Sequence, residues 1–416
     1  MLPQRVVDVL PVNEESDVGQ GILLWSAHAA RPVRGPLSES RARCSPSSKR
    51  SLAHEFRVAQ ARSVRERVHH ERIGRRARRF CCDASVADRI CAVRDNLDLL
   101  PPPPPPLEPG RAAELLAACD VRDAILAVTP CAGGITNANF AVTLAGGRRV
   151  LLRVYHWPHQ EPDLERGRKE AFLHEFLGTA GVAVPRVHGV AANGECVVLE
   201  WINGERLRDI APGTKGVESA WEEAGLALRR AHELPPLFDR AGVIVGDHLE
   251  PFEQPWGEFH ASLIRAHARK LRTLERISGA QLARVQALSE LASRALGHDA
   301  RVRLLHNDPH AANILVRSAA SRWRLAAWLD WEYAWMGDPE WDLARFDVFT
   351  RAQVGAVDSA FWRGYGARPD PAKRGFYELH AMLWFGSFPN PRPSSLIEAA
   401  RAYVADLDRN LDVLSA

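Results

Sequence analysis

The chain has 416 residues, enough to form two lobes around a large core, and its formal net charge is only +3 at pH 7. The basic surplus is confined to residues 1–100, where 18 Lys and Arg face 12 Asp and Glu, whereas the other 316 residues hold 36 against 39. Apolar runs stay well below the roughly 18 residues that a membrane-spanning helix needs, so the sequence predicts no membrane segment.

The cysteines and the N-terminal residues indicate the cellular compartment. Seven scattered cysteines, odd in number and without paired zinc spacing, are typical of reduced thiols rather than of a disulfide framework. The short apolar stretch 21–30 follows Glu14, Glu15 and Asp17, whereas a signal peptide has positive residues at that place. The sequence therefore predicts a cytoplasmic protein.

Residues 1–106 are predicted to form an N-terminal extension outside the folded domain. They include a Ser- and Arg-rich stretch at 36–49, five arginines between Arg72 and Arg79, and a stiff polyproline run, 101–106, that marks a boundary. Two interpretations of the basic stretch stay open, a tail that binds nucleic acid or a membrane surface and a solvated extension. The second is favoured, so nucleic acid is not an expected partner.

Residues 107–202 carry the pattern of a small antiparallel sheet. A helix is predicted over 110–119, a strand over 125–130, and two strands over 141–144 and 150–155 joined by Gly146 and Gly147, a hairpin signal. Ahead of the hairpin, the stretch 133–137 is expected to form a turn over nucleotide phosphates. Glycines such as Gly134 let backbone N–H groups approach phosphate oxygens, and Thr136 or Asn137 can add a side-chain donor.

The most informative stretch is 304–346, which begins LLHNDPHAANILV and ends LAAWLDWEYAWMGDPEWDLARF. Asp308 and Asn313, five residues apart, can supply a carboxylate that orients an attacking hydroxyl and an oxygen ligand for magnesium. Asp330, at the end of an apolar run, can supply the second metal ligand from a nearby hairpin. These spacings indicate phosphoryl transfer that uses ATP and Mg²⁺.

Other chemistries explain the same stretch less completely. The alternation of His306, Asp308 and His310 could present three ligands to a transition metal, but that site would leave Asn313 and Asp330 without a role. His310 is interpreted as a loop or packing histidine. The sequence has no G-x-x-x-x-G-K-[ST] loop, which argues against the P-loop route to phosphoryl transfer.

HNDPHAAN followed by LDWEY and GDPEWDLA resembles the aminoglycoside phosphotransferase and choline kinase superfamily, whose members phosphorylate small molecules. Pro309, Ala311 and Ala312 depart from the usual family pattern but leave the carboxylate and the amide in place. The resemblance covers roughly residues 107–410. It implies an α+β, protein-kinase-like, two-lobed fold, with a nucleotide-binding N-lobe sheet at 107–202 and a larger, mostly helical C-lobe at 203–416.

The resemblance also implies roles for single residues. Asp308 would be the catalytic base, Asn313 and Asp330 the magnesium ligands, and His306 and Asp342 structural supports, with Asp342 bracing the backbone of the catalytic loop. A surface position is the alternative for Asp342.

The N-lobe residues of the nucleotide site are implied in the same way. Arg153, on the strand VLLRVY, would steady the ATP phosphates and be positioned by Glu170 on a helix over 168–177. The backbone from Glu200 to Ile202 would meet the adenine edge.

The predicted function is transfer of the γ-phosphoryl group of ATP to a hydroxyl of a small molecule. Six carboxylates between Asp330 and Asp347, together with Trp331 and Trp335, favour a cationic acceptor such as an aminoglycoside, choline or ethanolamine. Helix capping and solvent exposure are the alternative explanation of these acids. A catalytically silent pseudokinase is the alternative function, against which the intact Asp308, Asn313 and Asp330 argue.

Helical periodicity in the C-lobe is expected in six segments, at 221–232, 259–277, 279–296, 359–365, 376–385 and 396–414. The sequence does not fix the acceptor, the choice between ATP and GTP, or the oligomeric state.

Overall fold

A computed structural model describes residues 106–131, 137–155, 165–298, 301–388 and 394–415. The predicted extension at 1–106 lies outside the described residues except for Pro106. The same is true of Gly134 and Thr136, so their predicted contacts with phosphate stay predictions.

The N-lobe is built on a five-stranded antiparallel sheet with the strand order β1-β2-β3-β5-β4. A helix, α1 (Pro109–Ala118), precedes the sheet, and α2 (Glu165–Thr179) follows its third strand. The strands are β1 (Ile125–Pro130), β2 (Asn137–Leu144), β3 (Arg149–Tyr155), β4 (Val187–Val190) and β5 (Cys196–Glu200). The predicted β2–β3 hairpin is confirmed, and Gly146 and Gly147 have φ angles of 82° and 81°, which glycine adopts without a Cβ clash.

Alternation along β3 assigns its side chains to two different environments. Val150 and Leu152 face a core shared with α1, whereas Tyr155 lies in a second cluster that includes Ala171 of α2. Arg153 has the same parity as Tyr155, so it lies on the face of the sheet that α2 covers.

The C-lobe is mostly helical. Its helices are α3 (Glu218–Glu233), α4 (Trp256–Thr273), α5 (Gly279–Leu296), α6 (Pro339–Val354), α7 (Ser359–Tyr365), α8 (Pro371–Gly386), α9 (Ser395–Ala405) and α10 (Leu407–Ser415). The predicted bounds of α5 and α7 are confirmed. None of the described helices combines the length and apolar character that a membrane crossing requires.

Two predicted helices end differently from the expectation. The segment 259–277 is helical only to Thr273, because Glu275 takes a left-handed φ of 57° and the Arg276 N–H bonds back to Leu271. The segment 396–414 is two helices that meet at Asp406, which lets Leu407 and Leu411 reach the core.

Short strands in the C-lobe were mostly missed by the sequence analysis. One sheet has the order β8-β7-β12-β9 and comprises β7 (Gly242–Val245), β8 (His248–Pro251), β9 (Arg303–Leu305) and β12 (Trp335–Gly337). The other has the order β11-β10-β6 and comprises β6 (Glu205–Arg206), β10 (Ile314–Ala319) and β11 (Arg322–Trp328). These strands matter for function because the stretch 306–313 runs from the end of β9 to the start of β10.

Two large apolar clusters flank the stretch 328–341. Trp328 and Trp331 belong to the cluster around α3 and α7, whereas Trp335 and Trp341 belong to the cluster around α4, α5 and α8. All four indoles are almost fully buried. The chain segment that carries the predicted metal ligand is therefore anchored in two cores at once, which fixes its backbone.

Helices α3 and α7 cross at a close contact that requires glycine. A Cβ at Gly225 would clash with the Phe361 carbonyl and lie 2.8 Å from the Tyr365 nitrogen. We expect Gly225→Ala to lower the free energy of unfolding by about 1–3 kcal/mol, measured by urea denaturation. Gly279→Ala is the matched control, because no atom lies within 4 Å of the position that a Cβ would take there. Equal effects at the two glycines would contradict a steric origin.

Candidate active site

The loop after β9 is held by one buried carboxylate. Asp342, in the first turn of α6, accepts hydrogen bonds from the backbone N–H of His306 (2.6 Å) and of Asn307 (2.9 Å). The ring of His232, from α3, lies 3.1 Å from the same carboxylate. Asp342 is completely buried, not a surface acid. Backbone donors therefore compensate most of the cost of burying this charge.

Asn307 gives the loop its turn. Its φ of 65° lies in the left-handed region, which asparagine tolerates better than most residues. Its amide nitrogen donates to the Tyr333 carbonyl (3.1 Å), and its amide oxygen accepts from the indole N–H of Trp341 (2.6 Å). Both ends of the side chain are thus fixed, which holds the neighbouring Asp308 in place.

His306 connects the loop to the end of β11. Its Nε2 donates to the Leu329 carbonyl (2.8 Å), and its Nδ1 accepts from the Asp308 N–H (3.3 Å). Burial lowers the pKa of His306 despite the nearby charge of Asp342, so the ring is neutral with its proton on Nε2. The geometry is that of a supporting residue with no free nitrogen for substrate.

The Asp308 carboxylate is buried but has no short hydrogen bond. His310 Nε2 lies 3.5 Å and Asn313 Nδ2 lies 3.4 Å from Oδ2, while Arg345 Nη2 lies 3.7 Å from Oδ1. Burial alone would raise the pKa of Asp308, but His310 and Arg345 outweigh it, so the pKa is lowered and the group is ionised at neutral pH. Charge-assisted hydrogen bonds measure about 2.7–2.9 Å, so this carboxylate keeps the capacity to accept a proton donor.

Asn313 and Asp330 lie at the same end of the β10–β11 hairpin, where Ile314 pairs with Trp328. The Leu329 N–H bonds to the Asn313 carbonyl (2.8 Å), and Asp330 follows with a left-handed φ of 68°. The Asn313 amide nitrogen donates to the Asp308 carbonyl (2.9 Å). The amide oxygen of Asn313 and the carboxylate of Asp330, whose side chain is 25% exposed, remain as possible oxygen ligands of a metal ion.

These two oxygen ligands fit magnesium, which prefers oxygen and keeps several water or phosphate ligands instead of an all-protein cage. Within the described ranges, no group of three or more His, Cys, Asp and Glu is arranged to hold a metal ion. The alternation of His306, Asp308 and His310 therefore does not produce a transition-metal site there, since His306 is turned toward Leu329.

Arg153 joins the two lobes. Its Nη1 contacts Glu170 at 2.8 Å and Asp330 at 2.7 Å, and its Nε donates to Asn139 at 3.0 Å. The Tyr155 hydroxyl bonds to the other oxygen of Glu170. Burial lowers the pKa of Arg153, but Glu170 and Asp330 outweigh it and raise the pKa overall. The structure thus brings together Arg153, Glu170 and Asp330.

A second connection between the lobes was missed by the sequence analysis. The Asn137 amide donates to Glu332 (2.7 Å), and Arg166 lies 3.4 Å from Asn137 and 3.7 Å from Glu332. Burial raises the pKa of Glu332 to about 7, and the charge of Asp330 adds to the effect while Arg166 opposes it. The position of Glu332, two residues after Asp330, was the one signal in the sequence that could have pointed to this contact.

The predicted adenine-contacting segment connects the sheet to the C-lobe. Glu200 ends β5, and its N–H bonds to the Arg186 carbonyl (2.7 Å). Ile202 follows β5 and is half-buried. Between them, the Trp201 ring lies under the Arg149 guanidinium at 4.0 Å.

The carboxylates that suggested a cationic acceptor have partners within the protein. Asp338 pairs with Lys373 (2.7 Å), Glu340 accepts from the Asp370 N–H (2.8 Å), and Asp347 is 2.8 Å from a guanidinium of α8. Trp331 and Trp335, whose rings were also expected to attract an ammonium group, lie inside the apolar clusters. In the described residues these groups therefore do not form a surface that would attract an ammonium ion.

Comparisons with known proteins agree with this architecture. The model of a phosphotransferase enzyme family matches residues 127–377. A search of curated protein sequences finds no match. The crystal structure of aminoglycoside phosphotransferase APH(4)-Ia has a TM-score of 0.52 and 17% identity over 73% of this chain and 96% of that chain.

Two further solved structures are similar. A thermostable mutant of APH(4)-Ia in ternary complex with ADP and hygromycin B has a TM-score of 0.51 and 16% identity, covering 72% of this chain and 96% of that chain. A putative fructosamine-3-kinase from Thermobifida fusca has a TM-score of 0.49 and 21% identity, covering 70% of this chain and 96% of that chain. The predicted α+β, protein-kinase-like fold is confirmed by the two aminoglycoside phosphotransferase structures.

The support that Asp342 gives to the loop can be tested with an isosteric change. Asp342→Asn would place an NH₂ group against one of the two backbone N–H donors, and leave that donor unsatisfied in the core. We expect the free energy of unfolding to fall by about 1–3 kcal/mol in urea denaturation. Asp347→Asn, a partly exposed acid on the same helix that pairs with Arg351 and Arg374, is the control, and each such ion pair contributes about 0–1 kcal/mol. A loss at Asp342 no greater than at Asp347 would contradict the role of the buried carboxylate.

Proposed function

Because the chain belongs to the phosphotransferase enzyme family, we propose that it transfers the γ-phosphoryl group of ATP to a hydroxyl of a small molecule, with Mg²⁺ on the phosphates. The observation that carries the proposal is the Asp308 carboxylate, which is buried, ionised and without a short hydrogen bond. Such a group is suited to accept a hydrogen bond from a hydroxyl.

In this proposal Asp308 is the catalytic base. It orients the acceptor hydroxyl and takes its proton as the bond to the γ-phosphorus forms. The lowered pKa of Asp308 keeps it ionised for that purpose. Asp342 supports the loop through the backbone N–H groups of His306 and Asn307, and His306 accepts the N–H of Asp308 itself.

Asn313 and Asp330 would hold magnesium through their oxygen atoms. The bound ion supplies positive charge that neutralises the phosphate oxygens as the phosphoryl group moves. Arg153 is kept charged by Glu170 and is available to the phosphates, because a guanidinium presents several donors in a fixed plane.

Further groups of the nucleotide site are proposed from the sequence and the family. Gly134, Thr136 and the backbone of Asn137, whose side-chain amide is bonded to Glu332, would cover the phosphates. The backbone from Glu200 to Ile202 would meet the adenine. A related phosphotransferase that was crystallised with ADP and hygromycin B supports a nucleotide-dependent reaction with a small-molecule acceptor. The pseudokinase alternative gains no support from any contact of Asp308, Asn313 or Asp330.

A screen for acceptor-dependent ADP release tests the reaction class. Purified protein would be supplied with Mg·ATP and with amino alcohols, aminoglycosides, sugars and sugar acids in turn. ADP release that depends on one of these acceptors supports the proposal, and its absence with every class contradicts it.

The role of the base is tested by Asp308→Asn. We expect transfer to fall by roughly 10²–10⁴-fold, because the amide cannot take the proton of the hydroxyl. ATP affinity, measured by calorimetry, should stay the same, since Asp308 faces the acceptor and not the nucleotide. A variant that keeps more than about a tenth of the wild-type rate would contradict the assignment.

The role of Asp330 is tested by titrating magnesium against nucleotide binding. Asp330→Ala should lose most of the increase in ATP affinity that Mg²⁺ produces, because a charged oxygen ligand is removed. Binding without magnesium should not weaken, since Arg153 is then released from its pair with Asp330. Asp406→Ala, an exposed acid between α9 and α10, is the control. An unchanged magnesium dependence would remove Asp330 from the metal site.

A further inference from the structure

Arg345 lies in a box of aromatic rings next to the proposed base. Its guanidinium carbon is 4.9 Å from the centre of the Trp341 ring, 4.6 Å from Phe349 and 5.3 Å from Trp384. Trp341 and Phe349 stand four residues before and after Arg345 on α6, and Trp384 comes from α8. We call Trp341, Phe349 and Trp384 the aromatic box. Arg345 fills it and is 1% exposed.

The guanidinium of Arg345 also reaches the loop that carries Asp308. Arg345 Nη2 lies 3.7 Å from the Asp308 carboxylate, and Nη1 lies 3.5 Å from the Asn307 amide oxygen. Its Nε has no hydrogen-bond partner among the described residues, and the same holds for His310 Nδ1. Arg345 and His310 therefore place buried N–H and imidazole groups around Asp308 without closing direct hydrogen bonds to it.

Arg345 places a positive charge beside Asp308, in addition to the effect of His310 on the pKa of that carboxyl. Burial lowers the pKa of Arg345 to about 10, against the opposing effect of Asp308 and Asp342, so the guanidinium stays protonated at neutral pH. Behind the box, His260 contacts His380 at 2.8 Å through the two Nδ1 atoms. Burial, helped by the charge of Arg345, lowers the pKa of His260 to about 3, so this ring is neutral.

We propose that Arg345 sets the acceptor class: it fills the aromatic box beside Asp308, so that the site takes a neutral or anionic polyhydroxyl compound and excludes ammonium compounds. This inference rests on the proposed phosphotransferase function. Aromatic faces attract cations, but here the chain's own guanidinium occupies them. A second cation next to it would be repelled with little solvent to screen the charges.

The same groups suit a hydroxyl of a sugar or a sugar acid. The hydroxyl donates its hydrogen to Asp308, while its neighbouring oxygens accept hydrogen bonds from Arg345. In the transfer step the hydroxyl oxygen bonds to the γ-phosphorus, the bond from phosphorus to the β–γ bridging oxygen breaks, and ADP leaves. The hydroxyl proton passes to Asp308.

Turnover tests the acceptor class directly. Wild-type protein would be assayed for ADP release with glucose and gluconate and with choline, ethanolamine and kanamycin. We expect turnover with neutral or anionic compounds only, and no competition by the cationic ones. A cationic compound with the highest kcat/KM of the panel would overturn the inference.

A binding experiment tests the box without turnover. Arg345→Ala empties the box, and methylguanidinium is a cation small enough to enter it. We expect millimolar methylguanidinium to raise the Tm of Arg345→Ala by roughly 2–4 °C and to leave the wild type unchanged. Arg351→Ala is the matched control, since Arg351 lies on the same helix but is exposed and pairs with Glu378. Equal stabilisation of all three proteins, or of none, would overturn the assignment of the box.

Two more variants test the role of Arg345 in case Arg345→Ala fails to fold. Arg345→Met fills the box without a charge, and should lower kcat/KM for the accepted compound about 100-fold while the KM for ATP stays unchanged. Arg345→Lys keeps a charge and should recover part of that loss. A lysine variant no better than the methionine variant, or a methionine variant with wild-type kcat/KM, would overturn the inference.

The inference and the function on which it rests fail in different ways. No ADP release with any acceptor contradicts the phosphotransferase function. The binding experiments, which need no turnover, then test the assignment of the aromatic box by themselves. In that case, binding of choline or kanamycin to the wild type, detected as a rise in Tm that Asp308→Asn removes, would overturn the exclusion of cations. The absence of such binding, together with stabilisation of Arg345→Ala by methylguanidinium, would support it.

Discussion

The carboxylate of Asp342 accepts two consecutive backbone N–H groups, and the shape of the loop 306–313 depends on this interaction. A fully buried carboxylate is costly unless hydrogen-bond donors surround it, and the loop supplies those donors only in its observed turn at Asn307. The left-handed backbone at Asn307 and the buried charge at Asp342 therefore stabilise each other. Together they determine where Asp308 lies.

One face of helix α6 supports the loop along its whole length. Asp342 and Arg345 contact the beginning of the loop. At its end, the Thr350 hydroxyl accepts the Ala311 N–H, and the Gln353 amide oxygen accepts the Ala312 N–H, both at 3.2 Å. The four helix residues are spaced by three, five and three positions, which brings them to one side of the helix. A single rigid element thus positions Asp308, the proposed base, and its charged neighbour Arg345 relative to each other.

The parts of the site that local sequence determines were predictable. The spacing of Asp308, Asn313 and Asp330 follows from one loop and one hairpin, and two glycines marked the turn between β2 and β3. The role of Arg345 could not be predicted from the sequence, because its partners Asp308 and Trp384 lie 37 and 39 residues away and meet it only in the folded chain. The strands β7, β9 and β12 are three or four residues long, too short for periodicity to identify.

The charges between the lobes are paired within the protein itself. Arg153 lies between Glu170 and Asp330, and Arg166 lies beside Glu332, so no buried acid of this group faces the cleft without a counter-charge. In the proposed reaction, Asp330 would exchange Arg153 for magnesium as its partner, and Arg153 would exchange Asp330 for the phosphates. Each charge would then exchange one partner for another, and nucleotide binding would not leave a buried ion uncompensated. Such an exchange would let the proposed phosphate-binding arginine and the proposed metal-binding aspartate lie 2.7 Å apart in the absence of nucleotide.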